Sequence, residues 1–73
     1  MNKEVLLEKL AEILEEENIK LTDELESFDE WDSLTSLSLI ALADSDYGVT
    51  IDNDKIVEFV TIKDVVSFIE KNV

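Results

Sequence analysis

The chain has 73 residues and suits one small domain, expected to span residues 1–73. Nineteen acidic residues against six lysines give a formal net charge of -13, so nucleic acid and anionic membranes are not expected partners. The 45% apolar content excludes a disordered polymer, and the absence of cysteine excludes a disulfide framework.

The first predicted element is an amphipathic helix over residues 3–16. Its apolar residues recur at three- and four-residue spacing between lysines and glutamates, and they are Leu6 or Leu7, Leu10, Ala11, Ile13 and Leu14. Asn18 is expected to end this helix in a left-handed conformation. An acidic amphipathic start is not typical of a signal peptide, and no apolar window has the length of a membrane span, so a cytoplasmic protein is expected.

A long loop is predicted next, from Asn18 to Glu30. Apolar residues are spread irregularly among its acids, which predicts a loop held to the core by apolar anchors, namely Ile19, Leu21, Leu25, Phe28 and Trp31. Loops longer than about 12 residues are uncommon in compact domains and are usually functional or partly helical. This loop leads directly into the tetrapeptide WDSL at residues 31–34.

The second predicted helix, residues 33–47, is apolar nearly all the way round. One face carries Ser36, Ile40, Ala43 and Tyr47, a second carries Leu34, Leu37 and Ala41, and Leu39 and Leu42 fill the gap between them. We call the second face, Leu34, Leu37 and Ala41, the outer stripe. A single small core cannot cover every side, so this stripe either contacts a partner or a bound apolar group, or is covered by the loop through Phe28 and Trp31.

The remaining pattern predicts two further helices. Gly48 is expected to end the second helix at positive φ, and residues 49–51 form an extended connector. A short helix or turn follows near 53–59, and Thr61 with Asp64 resembles a capping box that opens a last helix over about 62–72. The predicted fold class is all-α, a small four-helix bundle with three main helices and one short helix.

Asp32 and Ser33 lie where the second helix begins. Both residue types are favoured as helix N-caps, which explains the pair without any chemistry. A serine in this place also presents its hydroxyl where unpaired N–H groups and the helix dipole favour an anion, as in a phosphodiester. The chain has no histidine, so a serine nucleophile with its own general base is not expected.

The segment DSDYGVTIDNDK, residues 44–55, imitates a calcium-binding loop. The sixth position of such a loop requires glycine and holds Val49, and the twelfth requires glutamate and holds Lys55. A true EF-hand loop is therefore not expected, and no metal site is predicted. Loose cation binding by the clustered aspartates, or a plain solvated acidic loop, both stay open.

The stretches WDSLTSLSLIALADSDYGVTI and IVEFVTIKDVVSFIEK together resemble the acyl carrier protein family, the four-helix carriers of fatty acid and polyketide synthesis. The likeness extends through the whole chain in length, acidity and helix order. Its most specific part is Asp32-Ser33-Leu34, followed by Tyr47-Gly48 and by Thr61-Ile62 at the last helix.

The resemblance implies a role for each candidate site residue. Ser33 would carry 4'-phosphopantetheine, transferred from coenzyme A by a phosphopantetheinyl transferase, with Asp32 and Leu34 beside it in the attachment motif. An acyl group would be held on this arm as a thioester and presented to acyl-transfer or synthase enzymes with basic docking patches. The carrier itself would be a monomer and not an enzyme. The partner-binding residues implied are Leu34, Leu37, Ala41 and Asp44.

The sequence also departs from a general fatty-acid carrier. Thr35, Ser38 and Ser45 stand where such carriers have docking acids, and Trp31 precedes the Asp-Ser pair as in specialised carriers. These departures favour a dedicated carrier of a secondary or cell-surface pathway. Two other hypotheses stay open: an unmodified acidic adaptor that binds a basic protein, and a small cation-binding regulator built on residues 44–54.

Overall fold

A computed structural model describes residues 2–73 and contains four α-helices. They are α1 (Lys3–Leu14), α2 (Ser33–Tyr47), α3 (Asn53–Ile56) and α4 (Ile62–Asn72). A single 3-10 turn, Leu25–Ser27, lies in the loop between α1 and α2. The predicted all-α bundle of three main helices and one short helix is confirmed, although α3 is shorter than the predicted 53–59.

The core lies where α1 packs against both α2 and α4. Helices α1 and α4 each contribute the apolar side that their sequence spacing predicts, because burying that side removes hydrocarbon from water. The almost wholly apolar α2 contributes the side that carries Leu39 and Ala43. The connector between α2 and α3 adds two β-branched side chains of residues 49–51. The buried side chains are Leu6, Leu10, Ala11 and Leu14 of α1, Leu25 of the long loop, Leu39 and Ala43 of α2, Val49 and Ile51 of the connector, Ile56 of α3, Phe59 after it, and Ile62, Val65, Val66 and Ile69 of α4.

Helix α1 ends earlier than predicted, and the prediction that Asn18 ends it is wrong. Glu15 takes the left-handed conformation instead, with φ of 56°, and the backbone N–H of Glu16 donates to the carbonyl of Ala11 at 2.9 Å. Leu14 is the last buried residue of the helix. Another turn would bury nothing and would place further glutamates at the negative end of the helix dipole.

The long loop is held to the core by its apolar anchors, as predicted, and the structure also shows it hydrogen-bonded to the start of α4. Leu25 is fully buried, and the other four anchors are partly buried against the core. The Leu25 N–H donates to the carbonyl of Val60 at 2.8 Å, and the Ile62 N–H donates to the carbonyl of Asp23 at 2.9 Å. These contacts give the segment that precedes α2 a defined path.

The helices are also too short or too polar to span a bilayer. Within residues 2–73, no helix combines the length and the apolar character that a membrane crossing requires.

Candidate functional site

The N-terminus of α2 is closed by a reciprocal capping box. Asp32 is the N-cap, and its carboxylate accepts the backbone N–H of Thr35 at 3.0 Å. In return, the Thr35 hydroxyl accepts the backbone N–H of Asp32 at 2.8 Å. The usual sequence signature has Ser or Thr at the N-cap and Glu or Gln three residues later, so the reversed order of residue types, Asp32 and then Thr35, hid this motif from sequence reasoning.

Ser33 is the first residue of α2, and its side chain is exposed. Within residues 2–73, neither its hydroxyl nor the backbone N–H groups of Ser33 and Leu34 have a hydrogen-bond partner. Free N–H groups at a helix N-terminus, together with the helix dipole, favour an anionic ligand. The local geometry is therefore suited to a phosphate held on the serine oxygen.

A groove of about 230 Å³ opens beside Ser33. It lies between the start of α2, the 3-10 turn and α3, and its walls combine apolar and aromatic side chains with two carboxylates at the rim. A short flexible chain attached to the serine oxygen would enter it directly. The lining residues are Glu26, Trp31, Asp32, Ser33, Ser36, Ile56, Val57 and Phe59.

The outer stripe of α2 faces solvent. Leu34 is 74% exposed, Leu37 is 56% exposed, and Ala41 is exposed as well. The alternative that the loop covers this stripe is wrong, because Phe28 and Trp31 pack against the core instead. The core takes the side of α2 that carries Leu39 and Ala43.

The two aspartates near the end of α2 differ in their surroundings. Asp46 pairs with Lys9 of α1 at 2.9 Å, whereas Asp44 is exposed and makes no ion pair within residues 2–73. In residues 2–73, no three acidic side chains are grouped so that they could hold a metal ion. The segment 44–55 is thus divided between the last turn of α2, an extended connector and α3.

Acidic side chains crowd the entrance to α2. Glu30 lies close enough to Glu15 to share a hydrogen bond, which raises the pKa of Glu30, and repulsion from Glu15, Asp32 and Asp29 raises it further. Sequence reasoning did not find this pair, since the two residues lie on opposite sides of the long loop. The surface around Ser33 is therefore strongly negative, which suits a basic partner.

Comparison with known proteins identifies the family. The family model described as phosphopantetheine attachment site matches residues 4–69, nearly the whole chain. The chain belongs to this family. It is a phosphopantetheine carrier domain, a site at which 4'-phosphopantetheine is covalently attached, and the resemblance to acyl carrier proteins is confirmed. Carrier domains of this family are not themselves catalysts. Neither the curated proteins nor the solved structures give a match to the carrier domain.

Proposed function

We propose that Ser33 is the residue that carries the phosphopantetheine arm. The observation that supports this most directly is that its hydroxyl is exposed and free of hydrogen bonds at the start of α2. The neighbouring serines differ, because the Ser36 hydroxyl donates to the carbonyl of Ser33 at 2.9 Å and the Ser38 hydroxyl donates to that of Leu34 at 3.1 Å. Ser33 therefore offers the freest nucleophile of this turn.

The surroundings of Ser33 fit the group. The N–H groups of Ser33 and Leu34 would hold the phosphate, and the side chains of Trp31, Val57 and Phe59 would hold the apolar part of the tether. When bound, the arm supplies the thiol that this cysteine-free chain lacks, and that thiol holds an acyl group as a thioester. Asp32 caps the first turn of α2 and would lie against the incoming transferase.

The attachment reaction needs a base from outside the chain. The Ser33 oxygen forms a bond to the phosphorus that bears the pantetheine unit of coenzyme A, and the bond from this phosphorus to the adenosine 3',5'-bisphosphate leaving group breaks. The serine proton passes to a base of the transferase. The groove beside Ser33 holds neither lysine nor histidine, and its two carboxylates, Glu26 and Asp32, make no hydrogen bond to the Ser33 hydroxyl. Among residues 2–73, no side chain of the carrier is therefore in place to take this proton.

The outer stripe is the proposed docking surface for client enzymes. Leu37 and Ala41 would supply apolar contact, and Asp44 would meet a basic residue of the partner. Client enzymes of fatty acid, polyketide or specialised acyl-transfer pathways fit this surface. The scarcity of acids on α2 favours a dedicated pathway over the housekeeping one. That residues 1–73 form a single domain, and that the protein is monomeric, cytoplasmic and non-catalytic, stay predictions.

Intact mass spectrometry tests the attachment. Incubation with coenzyme A and a broad-specificity phosphopantetheinyl transferase is expected to raise the mass of the protein by one phosphopantetheine. Ser33→Ala is expected to abolish the gain, while Ser36→Ala, one turn along the same helix, retains it. No gain in the native protein refutes the assignment and leaves an unmodified acidic adaptor as the better function. A gain that survives Ser33→Ala refutes Ser33 as the attachment residue and places the arm on another side chain.

A further inference from the structure

The hydroxyl of Thr35 joins the end of the long loop to the first turn of α2. It accepts the N–H of Asp32 at 2.8 Å, and it has a single proton to give in return. The shortest acceptor distance, 2.7 Å, is to the carbonyl of Glu30. Its distances to the carbonyl and carboxylate oxygens of Asp32 are longer, 3.1 and 3.3 Å. One oxygen thus satisfies a donor and an acceptor on the two residues that flank Trp31.

These bonds act against a local electrostatic force. Glu15, Asp32 and Asp29 each repel Glu30, which lies in the segment that Thr35 holds, residues 30–32. Without the hydroxyl, the Asp32 N–H and the Glu30 carbonyl would turn to water and this repulsion would move the segment outward. Ser33 directly follows that segment, so its hydroxyl would lose its fixed place relative to the free N–H groups of the helix.

We propose that Thr35 is a positioning residue for the modification of Ser33, acting through Asp32 and the backbone of residues 30–32. This inference rests on the proposed attachment at Ser33. Thr35 touches no reacting atom and exchanges no proton in the transfer described above. Its hydroxyl is the part that matters, since the methyl group makes none of these bonds. Thr35 stands where related carriers have a docking acid. In this chain its proposed role is to position the Ser33 hydroxyl.

Three variants separate this role from simple stability. Thr35→Val keeps the shape of the side chain and removes both hydrogen bonds, Thr35→Ser keeps the bonds and removes the methyl group, and Ser38→Ala removes a hydroxyl that bonds only within the helix. The rate of phosphopantetheine transfer from coenzyme A is followed by intact mass at a temperature where circular dichroism shows every variant folded. Thr35→Ala serves as a second variant that lacks the hydroxyl, in case Thr35→Val does not fold.

A misplaced nucleophile slows the chemical step more than it weakens docking, so Thr35→Val is expected to lower kcat about tenfold with little change in KM. Thr35→Ser and Ser38→Ala are expected to stay close to the native rate. Native kcat in Thr35→Val, or a loss as large in Thr35→Ser, overturns the proposal. A mass gain in Ser33→Ala would instead refute the attachment site, whatever Thr35 does, so the two failures are distinguishable.

Discussion

The Lys9 ammonium lies 2.9 Å from the Asp46 carboxylate and 5.1 Å from the centre of the Tyr47 ring. The hydrogen bond to Asp46 raises the pKa of Lys9, and the same bond lowers the pKa of Asp46. Through this pair, α1 is tied to the last turn of α2. Asp46 is consequently engaged with α1, and Asp44 is the acid of that turn that stays available to a partner.

This difference predicts unequal effects of neutralising the two aspartates. Asp44→Asn is expected to lower kcat/KM for phosphopantetheine transfer, because it removes a free charge beside the outer stripe. Asp46→Asn is expected to change kcat/KM little. Transfer assays at low and moderate NaCl check this, since the effect of Asp44 should fade as salt screens the charge. Equal losses in both variants, independent of salt, would contradict the prediction.

Leu37 and Leu39 lie two residues apart on α2, but alanine at each position is expected to change the free energy of unfolding by different amounts. Leu39 is 1% exposed, and Leu39→Ala is expected to cost about 2–5 kcal/mol of unfolding free energy by opening a cavity. Leu37 is 56% exposed, and Leu37→Ala is expected to change stability by less than about 0.5 kcal/mol while slowing acyl transfer to client enzymes. Urea unfolding measures the first effect. A large stability loss in Leu37→Ala would show that the stripe is structural.

The end of α1 predicts a stabilising substitution. Glu15 has φ of 56°, which costs an L-residue about 1 kcal/mol, so Glu15→Gly is expected to raise stability by about that amount and also to relieve the repulsion of Glu30. Gly48 is the matched control, with φ of 65° and open space where a Cβ would stand. Gly48→Ala is expected to destabilise by about 1 kcal/mol through the backbone alone. Thermal unfolding checks this, with a higher melting temperature expected for Glu15→Gly and a lower one for Gly48→Ala.

Glu30 predicts one part of the pH dependence of stability. Its raised pKa means that the folded state binds the proton more tightly than the unfolded state does. The contribution of Glu30 to the free energy of unfolding is therefore fully present below its ordinary pKa of 4.5. It is lost as the pH rises through the pKa of the folded state. Urea unfolding is measured from pH 4.5 upward through the raised folded pKa. The stability of Glu30→Gln is expected to fall less with rising pH than that of the native protein. An unchanged slope in that variant would refute the pairing with Glu15.

Asp64 predicts the opposite dependence. Hydrogen bonds from the backbone N–H groups of Thr61 and Val60 lower its pKa, since they favour the charged carboxylate. The contribution of Asp64 to the free energy of unfolding is present above its ordinary pKa of 3.8. It is lost as the pH falls through the pKa of the folded state. Asp64→Asn is expected to be less stable than the native protein at neutral pH and nearly equal to it in strong acid. A difference that persists in acid would point to another cause.

The ends of the helices were largely readable from the sequence, because a cap is a local event. The start of α2 at Ser33, its end at Gly48 and the capping box of Thr61 and Asp64 each depend on residues within four positions of one another. The sequence did not predict the end of α1, because glutamate is not a residue type typical of the left-handed conformation. The helix ends where its last buried residue, Leu14, lies, and burial is set by tertiary packing.

By itself, the sequence determined the helix order, the apolar periodicity of α1 and α4, the acidity of the surface and the Asp32-Ser33-Leu34 motif, since spacing and residue type fix these properties. Only the tertiary structure decided which side of α2 is buried, because an almost wholly apolar helix fits the core in more than one rotation and packing against α1 selects one. The pairing of Lys9 with Asp46, the contact of Glu15 with Glu30 and the groove beside Ser33 followed from that packing, which brings together residues far apart in the chain.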